Sequence, residues 1–200
     1  MMSAARSHAQ LPDTGYSHRA LSRFLVVLHS DTRLPDSLRH LTVGGLDSLP
    51  SAYFSLLDDA ATSFYMHAMA SALHQVPQAL CGQVFAIGGN LDLTTLLAAI
   101  DSTTVDALIL SLNRAIHAAA TGTPRRVATR SEMQTAILKL TGGLPIADQQ
   151  RLMRIARNPP PSEEDACWSI RVLIDGLAAM PPEELGPVVR AMSAPSPRPQ

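Results

Sequence analysis

Three side chains that commonly ligate metals, His67, His74 and Cys81, recur at intervals of seven residues. On a continuous helix, seven residues advance the chain by roughly 10 Å, whereas a zinc ion holds its ligands at about 2.0 to 2.3 Å. One ion therefore cannot bridge neighbouring members of the series, and Pro77 interrupts the helix before Cys81. The spacing predicts a half-buried helix face, and we expect neither a metal nor a cofactor.

The second route to chemistry is a thiol nucleophile. A Cys-His hydrolase needs a base beside the thiol and a group that orients the base. Cys81, His117 and an aspartate supply these residue types, but no local signature accompanies them. Cys167 precedes Trp168 at the start of a late helix, where a ubiquitin-ligase-type thioester cysteine is the alternative to a core residue. Because the two cysteines match no metal or redox motif, we expect both to be reduced and packed as small core residues.

Glycine pairs at residues 44–45, 88–89 and 142–143 could suggest loops that bind phosphate. None of them follows the G-x-G-x-x-G pattern or has the lysine of a P-loop. Each pair follows an apolar helical stretch, so we predict that they end helices in the left-handed conformation.

Helices are the elements that must position these side chains. Hydrophobic residues make up 46% of the chain and recur three and four positions apart, whereas no stretch sustains the alternation of a strand. The pattern predicts an all-α protein with one helical domain over residues 17–192. We expect the polar residues 1–16 and the Pro/Ser-rich residues 193–200 to be disordered.

Polar residues that can cap helices precede several of these stretches. They are Ser17, Ser102 or Thr103, Ser131 with Gln134 as a capping box, and Ser162, which is followed by three acidic residues.

Prolines at positions 50, 77, 145 and 182 each follow an apolar helix end and precede an amphipathic stretch. Helix pairs joined by short turns build both α-solenoids and bundles. Since the four prolines are spaced irregularly, both remain open: an irregular helical bundle or a short α-solenoid of Pro-punctuated helix pairs.

Charge is divided unevenly along a chain whose formal net charge is -1. Residues 40–113 contain six aspartates and no Lys or Arg, whereas residues 125–157, the basic segment, carry seven cations against Glu132 and Asp148. The structural interpretation is a solvated helix face packed on the acidic half. The functional interpretation is a docking surface for an acidic partner, anionic lipid or nucleic acid. The candidate partner-binding residues are Arg125, Arg126, Arg130, Arg151, Arg154 and Arg157.

Residues 131–157 also permit a helix-turn-helix, in which Gln149, Gln150 and Arg151 would contact DNA. The near-neutral net charge weighs against a dedicated DNA-binding protein. A nucleic-acid-binding regulator is therefore an alternative function, and an all-helical enzyme such as a ubiquitin ligase module is another.

The stretch LPDSLRHLTVGGLDSLP, residues 34–50, resembles the leucine-rich repeat of bacterial type III effectors, LPxxLxxLxVxxNxLxxLP. Gly45 stands where the repeat has its Asn. The Pro-marked helix pairs are similar to the helical repeats of other effectors from plant-associated bacteria. The resemblance implies delivery into a host cell and binding to host proteins. Because the other prolines also lie between helices, however, we interpret the stretch as a turn between two helices. Gly44-Gly45 would end the first helix and Pro50 would begin the second.

Taken together, these observations predict a non-enzymatic protein–protein interaction module. The N-terminus has no apolar core of a signal peptide, and no run of 18 apolar residues occurs. We therefore expect no membrane span, and a cytoplasmic location in the producing bacterium before any delivery into a host.

Overall fold

A computed structural model describes residues 14–47, 51–85, 93–123, 125–157 and 162–193. All regular elements in these ranges are helical, which confirms the predicted all-α class. The α-helices are α1 (Thr14–Ser30), α2 (Asp36–Arg39), α3 (Val43–Asp47), α4 (Asp59–Gln75), α5 (Gln78–Phe85), α6 (Leu93–Ala98), α7 (Ser102–Thr121), α8 (Arg130–Gly142), α9 (Ile146–Arg157), α10 (Glu163–Ala178) and α11 (Pro182–Ser193), with a 3₁₀ helix over Ser51–Leu56. The predictions for residues 1–13, Pro50, Gly88-Gly89 and residues 194–200 lie outside the described residues. Residues 14–16 and Ser193, which were also predicted to be disordered, belong to α1 and α11.

The proline joints are confirmed where the structure describes them. Pro77 lies between α4 and α5, Pro145 lies between α8 and α9, and Pro182 begins α11. The carbonyls of Pro77, Pro145 and Pro181 each accept a backbone N–H from the first turn of the helix that follows. Proline suits this position because it lacks the N–H that the first turn of a helix would leave unsatisfied.

Of the predicted caps, only Ser162 is confirmed among the described residues. Ser162 accepts the backbone N–H of Asp165 at 3.1 Å and so caps α10. Ser17 instead lies inside α1, where its hydroxyl donates to the carbonyl of Leu97 at 2.5 Å. The start of α7 is capped by Asp101, whose carboxylate accepts the N–H of Thr104 at 2.7 Å.

The capping box of α8 is formed by Thr129 and Glu132, not by Ser131 and Gln134. Both pairs have the S/T-x-x-E/Q pattern, and the second pair begins two residues after the first. The pair with the carboxylate forms the box because a charged acceptor makes the stronger hydrogen bond to a backbone N–H.

The prediction that the glycine pairs end helices in the left-handed conformation was wrong at both described pairs. Gly44 and Gly45 lie inside the short helix α3, so they do not stop a helix. Gly143 follows α8 with φ -78, because its N–H bonds back to the carbonyls of Lys139 and Thr141 in a right-handed turn that leads directly to Pro145. Among the described residues, only Gly122, after α7, has a positive φ, at 61.

The helices pack as an irregular bundle. In a solenoid each unit contacts only its neighbours along the chain, whereas α4 packs against α7 and also against α10 and α11, which are far along the chain. The core is aliphatic, and its most deeply buried large side chains come from several parts of the chain: Leu28, Leu57, Leu97, Ile116, Leu177 and Leu185.

Cys81 of α5 and Cys167 of α10 form a disulfide. The expectation of two reduced thiols was therefore wrong, although both residues do lie in the core. The cysteines are 86 residues apart in sequence, and the packing of α5 on α10 brings their Cα atoms to 5.1 Å. That distance is within the usual range for a disulfide.

In contrast to the other long helices, α8 and α9 lie at the periphery. Ala136 is the buried residue of α8, and α9 has no buried residue. No helix in the described ranges combines the length and apolar character needed to cross a membrane.

Candidate functional site

The three potential metal ligands that recur every seven residues do not form a site. His67 is exposed, His74 bonds to the carboxylate of Asp175 at 2.9 Å, and Cys81 is buried in the disulfide. No group of three potential metal ligands converges among the described residues.

The Cys-His arrangement is also absent. Nε2 of His117 lies 3.5 Å from a carboxylate oxygen of Asp31, which provides a base with an orienting acid. Neither cysteine can serve them as a nucleophile, because Cys81 and Cys167 are bonded to each other. Thiol chemistry requires a free thiolate.

An apolar groove opens between α8, α9 and α10, and we call it the α8–α10 groove. Its volume is about 370 Å³. The walls are aliphatic and come from three elements: Ile137 and Leu140 of α8, Leu152 of α9, and Ile170 and Leu173 of α10. A groove lined in this way suits an apolar ligand surface better than a polar reactant.

Exposed apolar side chains continue from the groove onto α8 and α9. Ile137 in the wall is 52% exposed, Leu138, the next residue of α8, is 69% exposed, and Ile146, the first residue of α9, is 73% exposed. Met153 of α9 is also exposed. Large exposed apolar side chains gathered on two adjoining helices are characteristic of an interaction surface, whereas isolated ones are common on any protein.

Polar contacts hold α9 against α10 and against the turn that precedes α9. Nε of Arg151 donates to Asp165 at 2.8 Å, and its guanidinium lies 4.4 Å from the centroid of the Trp168 ring. The side-chain amide of Gln149 donates to the carbonyl of Leu144 at 2.9 Å. Because α9 buries no side chain fully, these contacts take a large part in fixing its position.

The six predicted partner-binding arginines do not share one surface. Arg125 lines a different cleft, together with Arg114 and His117. Arg126 pairs with Glu132 at 2.8 Å. Arg151 turns inward onto α10, whereas Arg130, Arg154 and Arg157 are exposed on α8 and α9.

The four acids of residues 40–113 whose side chains the structure describes have partners outside the basic segment or in the backbone. Asp58 and Asp101 cap helices, and Asp59 accepts from Arg190 at 2.6 Å. Asp106 accepts from the hydroxyl of Tyr16 at 2.7 Å, and this hydrogen bond raises the pKa of the tyrosine. The described acids therefore do not form a surface that pairs with the cations of α9.

Hydrogen bonding at the start of α8 lowers the pKa of Glu132 to about 2. The largest cause is the backbone N–H of Thr129, which donates to the carboxylate at 2.8 Å. Arg126 and the Thr129 hydroxyl donate to it as well. These bonds fix where α8 begins, and hence the position of its groove-lining face.

Sequence reasoning missed Ile170 and Leu173 as groove residues, because apolar residues on an amphipathic helix are usually assigned to the core. A signal was present, since α10 carries apolar residues around more than one face. Such a helix needs more cover than a single neighbouring helix provides.

Comparison with known proteins does not extend this description: no family model matches the chain, and neither a curated protein nor a solved structure matches it.

Proposed function

We propose that this chain is a non-enzymatic interaction module that takes a helical segment of another protein into the α8–α10 groove. The observation that carries the proposal is the groove itself, about 370 Å³ of apolar space whose wall residue Ile137 is half exposed. Grooves of this kind accept the apolar face of an amphipathic helix, which enters through side chains spaced three, four and seven residues apart.

The composition around the groove supports the same proposal. Exposed Met153 and the arginines on α9 are residue types that are enriched where proteins bind proteins. The exposed aliphatic side chains of α8 add apolar area that a partner could cover. A partner helix seated between α8 and α10 would also cover α9, which buries no residue of its own.

The alternatives are supported less well. Of the three side chains expected to contact DNA, Gln149 and Arg151 are engaged within the protein. An enzyme that used a thioester or hydrolase cysteine would need a free thiol, and both cysteines are in the disulfide.

The test is capture with matched variants. Ile137→Asp places a charge in the groove wall, whereas Val26→Asp places one on the outer face of α1, where Val26 is 68% exposed. We expect tagged wild type and Val26→Asp to retain the same proteins from host and bacterial lysates, and Ile137→Asp to lose them. A photo-crosslinking residue at Thr141, in the groove lining, should form adducts with those proteins. Equal capture by all three forms, or recovery of nucleic acid alone, would contradict the proposal.

We further propose that the partner belongs to a host cell and that the chain is a type III effector. The support is the polar, small-residue N-terminus and the preference for arginine over lysine. Lys139 is the single lysine of the chain. The leucine-rich-repeat likeness adds nothing to it, because residues 36–39 and 43–47 of that stretch are helical. A translocation reporter fused to residues 1–50 should enter host cells from a secretion-competent strain and not from a secretion-deficient one. Equal reporter signal from both strains would contradict the effector role.

A further inference from the structure

We infer that an apolar cavity between the 3₁₀ helix, α4, α6 and α7 binds a small neutral molecule that carries one hydrogen-bond acceptor. We call it the Tyr65 cavity. The inference goes beyond the proposed function, because the lining of this cavity shares no residue with the α8–α10 groove. Two features carry it: the apolar space that four elements leave open, and a tyrosine hydroxyl without a hydrogen-bond partner among the described residues.

The space itself is larger than ordinary packing leaves. Its volume is about 110 Å³. Phe54 comes from the 3₁₀ helix, Tyr65 and Met69 come from α4, and α6 and α7 contribute six aliphatic side chains to the lining. Protein interiors have few voids larger than a water molecule, and one water takes up about 30 Å³ of the liquid. The four elements therefore leave room for several atoms of a ligand.

Tyr65 provides the polar group of the lining. Its ring stacks on that of Phe54, with the two centroids 4.5 Å apart, and this contact fixes the position of the ring. Its hydroxyl makes no hydrogen bond with a described residue. A buried tyrosine hydroxyl usually has a partner, and an unpaired one costs free energy. The missing partner is therefore a feature that a ligand could satisfy.

The hydroxyl borders open space within the protein. Among the described side chains, Nε of Arg39 is the polar atom that is both sealed from solvent and without a partner. The hydroxyl of Tyr65 also lacks a partner, so it is not sealed. Burial nevertheless raises the pKa of Tyr65 to about 12, as expected for a phenol surrounded by protein and not by bulk water. Both observations are explained when the hydroxyl faces the cavity.

These surroundings define the chemistry of the ligand. A phenol O–H donates a hydrogen bond, so its complement is an acceptor such as a carbonyl or ether oxygen. None of the described lining residues carries a charge, and an ion would lose its hydration without a counter-charge. Since a cavity of about 150 Å³ binds benzene, this one suits a molecule of roughly five to six non-hydrogen atoms. The flexible side chain of Met69 can adjust the wall to its shape.

Water fits the same space less well. Buried waters typically make about three hydrogen bonds. Tyr65 is the single lining residue whose side chain carries a hydroxyl, amide or charged group, and the other walls are apolar. A neutral organic molecule covers the aliphatic walls and pairs with the hydroxyl at the same time.

Two isosteric small molecules provide the test. Cyclopentanone and methylenecyclopentane have the same ring and the same number of non-hydrogen atoms, but only the ketone has an acceptor oxygen. Titration of the whole protein, followed by NMR of the leucine and isoleucine methyl groups, gives both the Kd and the location. We expect both molecules to cause saturable shifts at Leu97, Leu108 and Ile109, which line the cavity.

Tyr65→Phe isolates the hydrogen bond, because it removes the hydroxyl and keeps the ring that stacks on Phe54. The ratio of the two Kd values is compared between proteins, so the different hydration of the two molecules cancels. We expect this ratio to shift about threefold to tenfold against the ketone in Tyr65→Phe. Tyr53→Phe is the matched control and should leave the ratio unchanged, because Tyr53 is a partly buried tyrosine outside the lining.

The outcomes separate this site from the groove. An equal Kd ratio in wild type and Tyr65→Phe would overturn the assignment of an acceptor ligand. Absence of saturable shifts at the lining methyl groups with either molecule would overturn the site and identify the cavity as a packing void. Ile137→Asp, in the groove wall, should leave both Kd values unchanged, and a loss of binding in that variant would contradict a site distinct from the groove.

Discussion

At the scale of single residues, Arg190 connects parts of the fold that are distant in sequence. The residue is only 3% exposed, and its guanidinium donates to the carbonyls of Leu57 and Arg126 and to the carboxylate of Asp59. Gly186, one helical turn earlier, leaves space for that carboxylate, because a Cβ there would collide with Asp59. Arg190 thus joins α11 to the start of α4 and to the segment before α8.

Replacing Arg190 by Ala should lower the free energy of unfolding by about 2–4 kcal/mol, since two carbonyls and a carboxylate would lose their donor. Urea denaturation followed by circular dichroism measures this change. Arg157→Ala is the control, because Arg157 is exposed, and it should change stability by less than about 0.5 kcal/mol. A loss equal to that of the control would show that the network contributes little.

Glu132 provides a prediction about pH. Its pKa is about 2 in the folded chain, against an ordinary value of 4.5. A carboxyl group whose pKa is lowered by folding stabilises the folded state fully above its unfolded pKa. That contribution is lost as the pH falls toward the folded pKa. The stability difference between wild type and Glu132→Gln should therefore be constant above about pH 5 and shrink between pH 4.5 and 2.

Carboxyl NMR titration of Glu132 gives the direct measurement, and thermal unfolding of the two proteins across the same pH range gives the second. Asp148, on α9, provides a comparison resonance from the same part of the molecule. A Glu132 midpoint near 4.5 would mean that the capping box does not persist in solution.

At the scale of elements, the packing of α5 on α10 depends on one glycine. A Cβ at Gly82 would lie only 2.8 Å from the Cα and carbonyl carbon of Glu163, which are backbone atoms that cannot rotate away. The close approach occurs at the start of α10, a few residues before Cys167. The helix that forms one wall of the α8–α10 groove is therefore positioned by its close contact with α5.

Gly82→Ala should destabilise the protein by about 1–3 kcal/mol, because the two helix backbones must separate to admit the methyl group. Gly142→Ala is the matched control: that glycine ends α8, and a Cβ added to it would have no neighbouring atom within 4 Å. Alanine there should be neutral or stabilise by up to about 1 kcal/mol. Chemical denaturation of both variants tests the contrast, and equal effects would refute the close approach.

At the scale of the whole molecule, the Cys81–Cys167 disulfide closes a long loop of the chain. Cross-linking residues that are 86 positions apart restricts the unfolded ensemble strongly, in the chain-entropy model by about 4–5 kcal/mol. Structural disulfides persist in oxidising compartments and are rare in a reducing cytosol. The bond therefore favours an oxidising environment for the folded protein, contrary to the expectation of a cytoplasmic protein with reduced thiols, and it counts against the proposed effector role in a reducing host cytosol.

Replacing both cysteines with serine should lower the free energy of unfolding by about 2–5 kcal/mol. Denaturation of wild type with and without a reductant gives the same comparison without mutation. Alkylation of the unfolded, non-reduced protein followed by mass spectrometry should detect no free thiol, and two after reduction. Two free thiols before reduction would show that the bond does not form.

The sequence by itself determined the helical class, the proline joints at Pro77, Pro145 and Pro182, and the cap at Ser162. These features depend on the backbone and on residues within a few positions, so local chemistry is sufficient to predict them. Two caps, those of α7 and α8, were predicted one or two residues from their true positions, because neighbouring polar residues compete for the same backbone N–H groups.

Only the tertiary structure decided the pairing of Cys81 with Cys167, the choice of a bundle over a solenoid, and the assignment of Ile170 and Leu173 to a groove. An apolar residue on a helix has the same local signature whether a neighbouring helix covers it or leaves it open. The burial of Arg190 and the opening of the α8–α10 groove likewise depend on which distant elements meet. Contacts between residues far apart in the chain are set by how the helices fill space together, and no local pattern records them.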